Sequence, residues 1–210
     1  MNNPSIGTWL SLPNESIAEI FSNAGYEWVV IDLEHSSINI SQAEGLIRTI
    51  DLAGSKPFVR LSGHDPSQIK RVLDAGAKGI LAPMVENAQQ IRAVIDACHY
   101  PPIGNRGMGL ARAQGYGAQK QKNHYIQNGC SEIEIFAQIE SVEAVKNVTS
   151  IFSEAIDGYF LGPYDLSASM GNPGDFQNES FKNVETIILK AAQDAKIKSG
   201  YHLVEPIVDE

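Results

Sequence analysis

Side chains suited to acid–base and metal chemistry stand at the ends of apolar runs in this chain. VVIDLEHS (29–36) passes from three apolar residues into Asp32, Glu34 and His35. Arg60 closes PFVR, Gln138 and Glu140 close IFAQIE, and Gly162, Tyr164 and Asp165 follow GYFL. Imidazole titrates near neutrality, which makes His35 the best candidate base. Glu140 and Asp165 offer oxygen donors for a hard divalent ion, Mg2+ or Mn2+, with water and substrate oxygens completing its shell. The same two acids would also suit helix N-caps in loops that follow strands. Arg60 at the end of an apolar strand requires an anion. A substrate carboxylate or a developing enolate oxygen would serve, and so would Asp32 or Glu34 on a neighbouring strand.

The elements that must position these groups are read from periodicity and punctuation. Strands are expected at 6–12, 28–34, 56–62, 79–85, 132–141, within 156–167, and at 201–205. Helices are expected at 14–25, 41–54, 65–76, 87–99, 142–153 and 181–200, with a weak one near 119–128. Asn14 or Ser16 would cap the first helix; Ser41 with Glu44 reads as a capping box on the second. Asp65, Pro66 and Gly76 bracket the third. This is β-α repeated seven times, and apolar strands separated by helices imply a parallel sheet covered on both faces. No GxGxxG follows the first strand, which favours a barrel over a nucleotide-binding open sheet. In a barrel, catalytic groups gather at the C-terminal ends of strands, where His35, Arg60, Glu140 and Asp165 stand. GNRGMG (104–109) lacks the Lys-Ser/Thr of a phosphate loop and reads as a lid or an intersubunit loop. His64, His99 and His124 have no comparable neighbours, and His202 opens the seventh strand as a structural residue.

The 210 residues suit one domain, and a net charge of −9 argues against a nucleic-acid or anionic-membrane surface. Cys98 and Cys130 form no CxxC pair and read as buried, reduced thiols. The first ten residues, MNNPSIGTWL, lack signal-peptide character, and no apolar stretch has the length of a membrane span; a cytoplasmic setting is expected.

Seven stretches, GTWLSL, IDLEHS, PFVRL, LAPMV, YPPIGNRGMG, AQIES and GPYDLSASMG, occur in the order found in the HpcH/HpaI aldolases, metal-dependent class II pyruvate aldolases. The resemblance runs over roughly residues 5–205. It implies a (β/α)8 TIM barrel over residues 1–210, stopping at EPIVDE before the family's eighth strand and final helix, so that the seventh strand would expose an edge and an apolar face. It also implies reversible cleavage of a 4-hydroxy-2-oxo acid to pyruvate and an aldehyde. By this resemblance Glu140 and Asp165 bind the metal (Mg2+, Mn2+ or Co2+), Arg60 holds the pyruvoyl oxygens, and His35 acts as base. Asp74 orients that histidine, Gln138 lines the pyruvate pocket, and amides around Gly162 and Tyr164 take the carboxylate. The implied partner is a small oxo-acid, in a homo-oligomer that is a trimer or hexamer. Tyr164 stands where the family commonly has a small residue. The alternatives are an acyl-CoA lyase of the citramalyl or malyl-CoA type and a catalytically impaired barrel serving as a binding or assembly subunit.

Overall fold

Seven strands alternate with helices along the chain. They run β1 (Gly7–Leu10), α1 (Glu15–Asn23), β2 (Trp28–Asp32), α2 (Ile40–Leu52), β3 (Lys56–Arg60), α3 (Pro66–Ala75), β4 (Gly79–Ala82) and α4 (Ala88–Cys98). After a loop come α5 (Gln119–Asn128), β5 (Glu134–Ile139), α6 (Val142–Lys146), α7 (Val148–Phe152), β6 (Gly158–Leu161), α8 (Pro163–Ser169), α9 (Glu179–Ala195) and β7 (Lys198–Tyr201). The computed structural model describes residues 4–128 and 132–203. Every described pairing is parallel, and the strand order is that of the sequence. The architecture is therefore α/β with a seven-stranded parallel sheet; the described residues hold no eighth strand. Among them, no helix is long and apolar enough to cross a membrane. Cys98 is a buried thiol, while Cys130 and EPIVDE lie outside the described residues.

The chain gathers into two compact units, Met1–Pro83 with Ala93–Ile135, and Met84–Arg92 with Phe136–Glu210. In the first, β2 and β3 are buried except at their first residues, and their register sets Asp32 opposite Arg60. Helix α2 buries Ala43, Leu46, Ile47 and Ile50, an i, i+3, i+4, i+7 stripe. Each large apolar side chain so covered contributes about 1.5–3 kcal/mol. Its capping box lies two residues earlier than Ser41: Asn39 Oδ1 accepts from Gln42 N at 3.0 Å and Gln42 Oε1 from Asn39 N at 2.9 Å. The reciprocal amide pair satisfies two end donors, so the helix starts there and Ser41 falls inside its first turn. Asp65 caps α3, with Pro66 at its start, and Gly76 ends it in the left-handed region at φ 108°.

In the second unit, the stretch read as one helix at 142–153 is two. Asn147 leaves helical geometry and its side chain donates to the Glu86 carbonyl at 2.9 Å and to Glu143 Oε1 at 3.1 Å, a local alternative to continuing the helix. The loop expected after β6 is α8, which starts at Pro163 and carries Asp165 in its first turn. Helix α9 ends sooner than its apolar period suggests because Lys196 turns left-handed at φ 59°. Strand β7 accordingly begins at Lys198, and His202 follows the strand instead of opening it. β7 stands last in the sheet order and reads KSGY; three of its four residues are exposed, Tyr201 among them. A short edge strand bearing lysine resists pairing with stray chains.

Candidate active site

The first unit gathers Trp9, Asp32, Glu34, His35 and Arg60. Arg60 Nε and Nη2 donate to Asp32 Oδ1 and Oδ2 at 2.9 and 2.7 Å, a bidentate pair, and Nη1 lies 3.3 Å from Glu34 Oε2. The guanidinium carbon sits 4.6 Å from the centre of the Trp9 ring. The two acids thus take Arg60 as their cation, the alternative already open from sequence. Two of its five N–H donors are hydrogen-bonded to Asp32, which leaves others for a substrate anion. Burial pushes the Asp32 carboxyl up. The Arg60 hydrogen bond and charge, with the N–H groups of His35 and Glu34, outweigh that and leave it below the ordinary carboxylate range.

The turn that presents His35 is built by Asp32. Its Oδ1 accepts from Glu34 N at 3.0 Å and His35 N at 3.2 Å, and its carbonyl accepts from Ser36 Oγ, which in turn accepts from Ile38 N at 3.0 Å. An acid two and three residues before the amides it caps is a local signal that IDLEHS carries. The His35 side chain is 62% exposed, with Nε2 3.9 Å from Glu34 Oε2. Its ring is therefore positioned by the backbone turn and faces solvent.

Asp74 stands near the end of α3. It is the ninth residue of α3, about 12 Å along the axis from the first, whereas His35 follows the C-terminal end of β2. Its carboxylate accepts from Arg106 Nη2 at 2.6 Å and from Gln114 Nε2 at 3.2 Å. Arg106 is buried between the rings of Tyr100 and Tyr125 and donates to the Tyr125 hydroxyl at 3.0 Å. Burial opposes its charge, but the two tyrosines and Asp74 hold its pKa above the ordinary arginine value. GNRGMG is thus fastened by Arg106 inside the first unit and is no phosphate cradle.

The second unit gathers Met84, Gln138, Glu140 and Gly162. Glu140 is 2% exposed; its Oε1 accepts from Met84 N at 2.6 Å and its Oε2 from Gln138 Nε2. Gln138 Oε1 is buried with no hydrogen-bond partner. Reversing that amide would set oxygen against carboxylate oxygen, so the orphan stays on Oε1. A Cβ at Gly162 would stand 2.7 Å from Glu140 Oε2 and 3.2 Å from Gln138 Nε2, so glycine keeps this space open. Asp165 is exposed in the first turn of α8, and Tyr164 beside it is 50% exposed and packs edge-on against Phe176 at 5.0 Å. The Gly162 amide donates to the Ile139 carbonyl at 3.2 Å, so it is engaged in the backbone. Neither acid is an N-cap: Ser141 caps α6, and Gly162 precedes α8.

This donor set suits a hard divalent cation. A buried unpaired amide oxygen beside a buried carboxylate is an acceptor surplus that a cation relieves. Among the described residues no group of three or more His, Cys, Asp or Glu is arranged to hold a metal, so carboxylates alone do not complete a shell.

The HpcH/HpaI aldolase/citrate lyase model matches residues 5–207. The chain belongs to that family. It is 39% identical over 197 residues to a 4-hydroxy-2-oxo-heptane-1,7-dioate aldolase of Escherichia coli, covering 92% of this chain and 74% of the relative. A 2-keto-3-deoxy-L-rhamnonate aldolase of Klebsiella pneumoniae is 37% identical over 208 residues, covering 98% and 77%. The crystal structure of an HpcH/HpaI aldolase/citrate lyase family protein from Burkholderia cenocepacia superposes with a TM-score of 0.89 at 32% identity, over 94% of this chain and 79% of that one.

Sequence reasoning missed three contributors. Asp32 was read as a partner for Arg60 and not as the builder of the His35 turn. Trp9 gave no signal beyond a strand aromatic. The Met84 amide is invisible to side-chain reading, because its donation depends on a left-handed φ of 51°.

Proposed function

We propose that the chain is a class II, divalent-metal-dependent aldolase that cleaves a 4-hydroxy-2-oxo acid to pyruvate and an aldehyde. The observation that carries the reading is the buried Glu140 beside the unpaired Gln138 oxygen, kept open by Gly162. Two relatives named as aldolases of oxo-acids, each covering more than nine-tenths of the chain, support it.

Glu140 and Asp165 would hold the ion. When bound, it supplies Lewis-acid stabilisation of the enolate formed as the carbon–carbon bond breaks. Arg60 keeps N–H donors directed at the pyruvoyl oxygens and offsets their growing charge. His35 takes the proton of the C4 hydroxyl; the C3–C4 bond breaks, its electron pair passes into the enolate, and the hydroxyl carbon leaves as an aldehyde. Protonation at C3 then gives pyruvate. Gln138 lines the pyruvate end, amides around Gly162 and Tyr164 take the carboxylate, and Tyr164 narrows the aldehyde end. The same reading includes one (β/α)8-type barrel domain, Mg2+, Mn2+ or Co2+ as the ion, cytoplasmic residence, and a homo-oligomer.

The test offers a panel of 4-hydroxy-2-oxo acids with EDTA, Mg2+ or Mn2+ and reads pyruvate through lactate dehydrogenase. Metal-dependent pyruvate release is the expected result. Silence across the panel from a folded, metal-binding protein would replace the aldolase with a non-catalytic barrel.

A further inference from the structure

We infer that His64 is a positioning residue for Glu140, acting through the peptide that joins Pro83 to Met84. The inference rests on the reading of Glu140 as a metal-binding carboxylate. His64 Nε2 lies 2.6 Å from the Pro83 carbonyl oxygen. A carbonyl only accepts, so Nε2 carries the proton and donates. The other end of the same peptide, Met84 N–H, donates to Glu140 Oε1 at 2.6 Å. A peptide is planar, so its C=O and N–H turn together as one rigid plate. A donor on the carbonyl fixes the plate's orientation and polarises the N–H towards the carboxylate.

The backbone requires such a hold. Met84 has φ 51°, a left-handed conformation that costs a non-glycine residue about 1–3 kcal/mol unless its surroundings impose it. The residue is 48% exposed, which leaves much of that hold to the backbone contacts. Rotation of the plate would relieve the strain and withdraw the donor from Glu140. His64 is itself anchored on both sides. Ser62 N donates to Gln68 Oε1 and Gln68 Nε2 to Ser62 Oγ, both at 2.9 Å, and Asp65 caps α3 through Ser67 N at 2.9 Å. The histidine therefore fixes the plate from a rigid loop, and Glu140 is oriented before any ligand arrives.

The test measures Mn2+ binding to the full chain by electron paramagnetic resonance, without substrate. It compares the parent protein with His64→Leu, His64→Gln and Glu140→Gln. His64→Leu is expected to weaken Mn2+ binding about tenfold, as loss of a group that orients a metal ligand does. His64→Gln keeps an N–H donor and is expected to restore most of the affinity. In 1H–15N spectra of the metal-free protein, the Met84 amide proton should move upfield in His64→Leu and return in His64→Gln. Parent-like Mn2+ affinity in His64→Leu, with affinity lost in Glu140→Gln, overturns the inference. So does a loss in His64→Leu with the Met84 amide unmoved. Parent-like affinity in Glu140→Gln overturns instead the metal reading beneath it.

Discussion

At the end of β2, Asp32 and Glu34 share Arg60, and the stack on Trp9 covers the guanidinium. At the end of β5, Glu140 receives N–H donors from Met84 and Gln138, and Gln138 keeps a buried oxygen with no partner. The first cluster contains its own counter-charge. The second leaves one buried acceptor, Gln138 Oε1, unpaired. The same residue classes at the ends of parallel strands thus end in different states: one group encloses its own ion pair, the other leaves a buried amide oxygen unpaired.

Disruption of the first cluster should register chiefly as stability. Arg60→Met leaves the buried Asp32 and the part-buried Glu34 without their cation and should cost about 3–5 kcal/mol in urea unfolding at pH 7. A cost below 1 kcal/mol would break the contrast. That cost depends on pH with a definite sign. Asp32 has a lowered pKa in the folded protein, so its contribution is fully present above the ordinary value of 3.8 and is lost as pH falls through the lowered one. The stability gap between parent and Arg60→Met should therefore close as pH drops below about 3.8; a gap that widens there would contradict the pairing.

Gly162→Ala sharpens the other side. Its Cβ would meet Glu140 Oε2 at 2.7 Å and Glu140 Cβ at 2.9 Å, so one of them must shift. A destabilisation of about 1–3 kcal/mol is expected, together with weaker Mn2+ binding by paramagnetic resonance. The smallest effect falls on Trp9→Leu, which removes the cation–π contact and should cost about 1 kcal/mol in the same unfolding assay while Mn2+ affinity stays unchanged.

Much of this arrangement was legible in the chain. Alternation of apolar runs with 3.6-period stretches marked the first six strands and set the seventh three residues late, and Asp65, Pro66 and Gly76 fixed α3 at both ends. Polar residues closing the apolar runs pointed to Arg60, Gln138 and Glu140, and the structure buries all three. What escaped depends on backbone geometry that composition does not encode. The left-handed Met84 is tied to Glu140, far along the chain, Lys196 closes α9 through local bonds to Ala192 and Gln193, and the break at Asn147 comes with a side chain that finds the Glu86 carbonyl and the Glu143 carboxylate. The Asn39 box outcompeted Ser41 because Gln42 could return the bond. Asp74 entered through the family resemblance alone, and its pairing with Arg106 and Gln114 carries no signal in the sequence.

The most direct measurement of the central claim is exchange of the pyruvate methyl protons with D2O, followed by 1H NMR, because it requires enolate formation and no knowledge of the aldehyde. Parent protein with Mg2+ should erase the methyl signal, while EDTA treatment or Glu140→Gln should slow exchange by at least ~10²-fold. Exchange that persists unchanged in EDTA and in Glu140→Gln would contradict the account.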